Sequence, residues 1–167
     1  MPLGNLKSRS NRMPIKQMTP QAEIKASLGA VLENARAEVL EELTAIGLEA
    51  VNEARRYNGK AYEDQTGNLR SSTGFVIVED GRVISLQGFE QVPPKNDPEH
   101  EAGKGSPTGR EYAQSLAAEF PDGITLIVVA GMHYAAYVAA KGYNVLDSSE
   151  LYAKKAVREM IEELFNE

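Results

Sequence analysis

Asp80 and Gly81 stand between two β-rich runs, "GFVIVE" and "RVISLQG", and this pair restricts the possible folds more than any other feature of the chain. Asp-Gly suits a two-residue turn whose central residues take positive φ, so the flanking runs read as an antiparallel hairpin. A lone hairpin is marginal in water and needs a further strand or helices over its apolar side. "GITLIVVAG", residues 123–131, is apolar without interruption and reads as a buried strand, expected at the centre of the sheet.

Helices are expected before and after these strands along the chain. Ile24, Leu28, Val31, Leu32, Ala35, Val39, Leu43, Ile46, Ala50 and Ala54 recur at spacings of three and four, with glutamates mostly between them. Thr19 and Pro20 form a good helix start, and Asn58-Gly59 predicts an end near Tyr57. Gly29 and Gly47 weaken such a helix by up to about 1 kcal/mol each, so close packing at both is expected. "REYAQSLAAEF" predicts a short helix closed by Pro121, and "MHYAAYVAAKG" another. The terminal stretch from Asp147 opens with Asp147 and Glu150 in capping-box spacing and places Leu151, Val157, Met160, Ile161, Leu164 and Phe165 on one face. The expectation is an α+β domain, with a long N-terminal and a C-terminal helix packed on one face of a small antiparallel sheet.

A chain of 167 residues suits one domain, here 20–167, preceded by an arm of residues 1–19. The arm holds Lys7, Arg9, Arg12 and Lys16 without an acid, so a net charge of −6 overall leaves −10 on the remainder. Such an arm can contact nucleic acid, or it can dock on the acidic face of a neighbouring copy. It has neither the apolar core nor the cleavage site of a secretory signal, and the longest apolar runs fall far short of the roughly 20 residues a membrane span needs. A cytosolic location is therefore expected. Residues 88–109 carry Pro93, Pro94, Pro98 and Pro107 among charged residues and glycines, and read as a long flexible loop, either a contact segment or an insertion.

Little in the sequence points to chemistry. The absence of cysteine removes thiolate zinc sites and cysteine nucleophiles. "GKGSPTGRE" resembles a phosphate loop, but the glycine spacing is wrong and Arg110 replaces the lysine. His100 lies in the proline-rich loop without fixed geometry for a metal. His133 ends the apolar strand, where a neutral, satisfied imidazole is the usual outcome. Ser71 and Ser72 are in no nucleophile elbow. Neither metal nor cofactor is expected, and a hydrolase would have to rely on carboxylates brought together by the fold.

"DQTGNLRSS", residues 64–72, links helix and hairpin. Gly67 suits a left-handed turn, Thr66 and Asn68 can bond nearby backbone, and Leu69 anchors in the core. If the strand has begun there, Arg70 points opposite to Leu69, to the outer surface or an interface. With "HYAAYVAAKGYNVL" further on, this stretch resembles the small tail-component family of long-tailed, lambdoid-type phages, the tail-completion or head-tail connector proteins of the neck. Members carry a Pro-x-Asp-Thr-Gly-x-Leu-Arg-x-Ser pattern, matched by Thr66, Gly67, Leu69, Arg70 and Ser72, and a Tyr-Ala-x-Tyr-Val-Glu pattern near a glycine, matched by Tyr134, Ala135, Tyr137, Val138 and Gly142. Glu63 stands where the family has proline, and Ala139 where it has the acid.

The resemblance implies a non-enzymatic virion protein that forms a ring, by family habit a hexamer, at the head-tail junction. Its partners would be other copies of itself, a head-side connector or stopper and the tail-tube protein, with DNA only passing through the lumen. It would act in the virion after assembly in the host cytoplasm. The reading from another class is a nucleic-acid-binding module using the basic arm, and after it a small carboxylate-dependent hydrolase.

Overall fold

The computed structural model describes residues 20–56, 62–97 and 99–166. The basic residues of the arm and the Thr19 cap lie outside them, while the first helix ends at Arg55, two residues before the expected end near Tyr57. The described chain divides into two units between Arg36 and Ala37. The first consists of the opening part of α1 (Gln21–Arg55). Ile24, Leu28, Val31 and Leu32, expected in the core, are 48–62% exposed there.

The second unit is built on a three-stranded antiparallel sheet, β1 (Thr73–Glu79), β2 (Arg82–Gln87) and β3 (Ile124–Ala130), in the order β2-β1-β3. Asp80 and Gly81 form the hairpin turn with φ of 48° and 76°. The turn is tied to the head of β3: Gly123 N donates to the Asp80 carboxylate at 2.8 Å, and Asp80 N to Gly123 O at 3.0 Å. Pairing runs from Phe75 opposite Gln87 to Glu79 opposite Arg82, with a bulge that leaves Ile84 without an opposite residue. The central strand is β1, buried from Thr73 to Val78. β3 is an edge strand, contrary to expectation. Its apolar run has packing partners on both faces, although only Val129 is fully buried, and such a run says nothing about whether strands lie on one or both sides of it.

Alternation in β1 divides the core. Phe75 and Ile77 face one side, with Leu126 and Val128 of β3, and meet Val39, Leu43 and Val51 of α1 and Val157 and Met160 of α5 (Asp147–Asn166). The N- and C-terminal helices thus share one face of the sheet, as the sequence implies. Val76, Val78 and Val129 face the other side, where Phe89, Ala113 of α3 (Gly105–Ser115) and Ala117 of a following 3-10 turn cover them.

α3 begins five residues before the expected helix and shortens the predicted loop. Its buried residues are Gly105, Gly109 and Ala113, one every turn. A Cβ on Gly105 would collide with Asn68 O, and one on Gly109 with Ser72 O. The glycines that imitate a phosphate loop are there to let helix backbone lie directly on backbone. The remainder of 88–104 is also held: Phe89 is buried, and Lys95 N and Asn96 N both donate to Gln65 O at 2.8 Å.

At the start of α5, the expected Asp147–Glu150 box is replaced by Asn144. Its Oδ1 accepts from Ser148 N at 3.1 Å, while the Ser148 hydroxyl donates to Glu53 O at 3.0 Å and joins the two long helices. Glu150 pairs with Lys154 instead. Val157 and Met160 pack inward, whereas Leu151, Ile161 and Leu164 are exposed.

The two helix glycines behave differently. A Cβ on Gly47 would lie 2.6 Å from the Phe75 ring, and one on Gly29 meets nothing within 4 Å. Urea unfolding of Gly47→Ala is expected to show a loss of about 1–3 kcal/mol from overpacking. Gly29→Ala is expected to gain up to about 1 kcal/mol.

Candidate functional site

The two motif segments meet in one cluster. Leu69 packs with Ala135 and Val145 in a core that also takes Tyr62, Tyr134 and Val138. The Tyr134 hydroxyl bonds the Thr66 side chain. Ala135 and Val138 lie on α4 (Ala135–Ala140), which ends before Gly142, at φ 77°. Tyr137 is on the outer side, 64% exposed, with the Lys141 ammonium 5.0 Å from its ring centre. His133 is exposed, with its ring edge-on to Tyr134, and is no buried imidazole.

"DQTGNLRSS" is not the beginning of a strand. Asn68–Ser71 forms a single helical turn, α2, and β1 starts at Thr73. Gly67 precedes the turn at φ 73°, as expected, and a Cβ there would strike Val92 O. Asp64 holds the turn from outside, its carboxylate accepting from Arg70 N at 2.8 Å. Asn68 is buried and bonds distant rather than nearby backbone. Its Oδ1 accepts from Lys104 N at 3.1 Å and Gly105 N at 3.0 Å, and its Nδ2 donates to Glu101 O at 2.7 Å. The serines are fully buried. The Ser71 hydroxyl donates to Gly67 O at 2.6 Å and accepts from Val92 N at 2.8 Å; that of Ser72 donates to Leu69 O at 2.8 Å and accepts from Met132 N at 3.3 Å.

Arg55, at the end of α1, completes the junction. Its Nε and Nη2 donate to Arg70 O at 3.2 and 3.1 Å, and Nη2 also reaches Thr73 O at 3.0 Å and Gly88 O. Burial lowers its pKa, which the Glu90 carboxylate 3.8 Å away partly opposes. Arg70 is half-buried, its guanidinium 5.5 Å from the Tyr62 ring centre, and is not an outward strand residue.

Beside this turn lies a cleft of about 460 Å³ lined by Tyr62, Glu63, Asp64, Arg70, Pro93 and Lys95. Its charges are matched within it. Glu63 pairs with Lys95 at 2.6 Å, which holds the carboxyl below its usual range, and Asp64 caps the turn. Burial, followed by the Asp64 charge, pushes the Tyr62 phenol up to about 12 despite Arg70. Near neutral pH that hydroxyl stays protonated, its oxygen accepting from the Arg70 guanidinium, and it does not serve as a base. Among the described residues no three His, Cys, Asp or Glu side chains gather as metal ligands would.

No protein-family model, curated protein or solved structure matches the chain.

Arg55, Asp64 and Asn68 carry this junction; Arg55 and Asp64 were given no role from the sequence, and Asn68 was expected to bond nearby backbone. A basic residue in a last helical turn is ordinary, and the partners of Asn68 are more than thirty residues away.

Two outcomes are expected. Asn68→Ala leaves the buried Gly105 amide and the partly buried Lys104 amide and Glu101 carbonyl without their partner, and should lower unfolding stability by about 1–3 kcal/mol in urea titration. Because the folded pKa of Tyr62 lies above the unfolded value near 10, its contribution is complete below pH 10 and is lost as pH rises towards 12. Stability measured across pH 9–12 should therefore fall less steeply in Tyr62→Phe than in the wild type.

Proposed function

We propose that this chain is a structural subunit that assembles head to tail into a closed ring, as in the phage neck and tail-completion proteins it resembles, and that it carries out no catalysis. The observation that carries this reading is a pair of unlike apolar surfaces exposed among the described residues. On α1, Ile24, Leu28, Val31 and Leu32 lie within about 100° of one another at helical spacing and are all about half or more exposed. The second surface is a groove of about 650 Å³ between β3 and α5, with Leu126, Val128, Ala153, Val157 and Ile161 along it. Contiguous exposed apolar surface of this kind marks an interaction site. Stripe and groove are different, so a contact between them is heterologous, and such contacts build a ring when the rotation closes.

The matched motif positions have a defined role in this reading. They pack Leu69 against Ala135 and fix α4 and the 88–104 segment to the sheet, which keeps the groove side of β3 in one shape. They are framework, with Tyr137 the matched side chain most available for contact. In the ring the neighbours would be identical copies, a head-side connector and the tail tube, with DNA passing through the lumen.

Leu28→Asp with Leu32→Asp is expected to reduce self-association at least tenfold by sedimentation, because a desolvated charge enters the contact. The unfolding midpoint should change little, since both side chains are exposed in the single chain. Unchanged assembly would remove the stripe from the interface.

A further inference from the structure

Beyond the apolar contact, α1 and α5 form a second cleft of about 310 Å³, floored by Val39, Met160 and Leu164. Glu38, Glu41, Glu42 and Glu163 line it as well. None of these four has an ion-pair partner among the described residues, although eight other glutamates do. Glu38 and Glu42 are four apart on one helix, a spacing at which like charges repel by a few tenths of a kcal/mol. The cleft therefore presents an apolar floor and a surplus of negative charge that cations from elsewhere would relieve.

The chain contains a complementary segment. Residues 1–19 hold Lys7, Arg9, Arg12 and Lys16 and no acid, interspersed with Leu6, Met13, Ile15 and Met18. This segment is joined at Pro20 to the end of α1 that bears the exposed stripe. A neighbour covering the stripe would be within reach of this segment, which can extend up to roughly 3.3–3.6 Å per residue. In the proposed ring the covering surface is the groove of a neighbour, one wall of which is α5 through Ala153, Val157 and Ile161. The same helix supplies Met160, Glu163 and Leu164 to the acidic cleft, within about two turns.

We propose that residues 1–19 of one copy dock in the acidic-rimmed cleft between α1 and α5 of the next, the cations meeting Glu38, Glu41, Glu42 and Glu163 and apolar arm residues meeting Val39, Met160 and Leu164. This rests on the ring reading and adds the electrostatic half of the joint. It supplies register and salt sensitivity where the stripe supplies affinity.

The test uses the full chain. Lys7→Glu, Arg9→Glu, Arg12→Glu and Lys16→Glu together should weaken self-association at least tenfold at 50 mM salt in sedimentation velocity. Adding Glu38→Lys, Glu42→Lys and Glu163→Lys to that variant should restore it. Carbodiimide coupling of mixed light- and heavy-isotope wild-type chains should join Lys7 or Lys16 to these glutamates in mixed-isotope pairs. Coupling confined to single-isotope pairs would show the arm docked on its own chain and overturn the proposal. Wild-type-like assembly of the arm variant would overturn it too while leaving the ring intact, whereas a wild type that is monomeric at every concentration defeats both.

Discussion

One half-buried guanidinium ties together several elements of the second unit. Arg55 collects carbonyls from Arg70, Thr73 and Gly88, where α2, β1 and the segment after β2 converge on the end of α1. Buried backbone acceptors must find donors, and few side chains other than arginine present a fork that can serve three at once. With the junction fixed, Asn68 holds the amides that open α3, and the Ser71 and Ser72 hydroxyls take up Val92 N and Met132 N. Elements distant in sequence are thereby placed around β1 by backbone bonding, so both of its faces can be covered by helices.

The parts of this architecture that are local in sequence were readable in advance. The Asp80-Gly81 turn needs only two residues with positive φ, and the helical spacing of α5 is repeated over five turns. The location of β3 was not readable, because an unbroken apolar run records burial on both faces without saying whether strands or helices provide it. The α2 turn failed for a related reason. Four residues carry no periodicity, and the groups that hold them come from residues 92, 101–105 and 132. Periodicity also showed that Ile24, Leu28, Val31 and Leu32 share a face, but not that the chain itself leaves this face open.

In the proposed ring, that exposed face would be one of the contact surfaces. The motif residues that carry the resemblance are buried or half-buried except for Tyr137 and Gly142, and form a joint between turn, strand and α4, which makes them framework for surfaces located elsewhere. The paired charges in the neighbouring cleft are matched to one another, and its tyrosine is held protonated. In the proposed ring, the exposed stripe, the apolar groove, the acidic cleft and the basic arm would be complementary parts that pair between copies.

The most direct test is the mass of the purified full-length chain by light scattering across a hundredfold range of concentration. A closed ring requires one multimeric mass that is reached and then stays constant as concentration rises, with no species beyond it. A monomer mass throughout, or a mass that continues to grow, would contradict a closing head-to-tail contact.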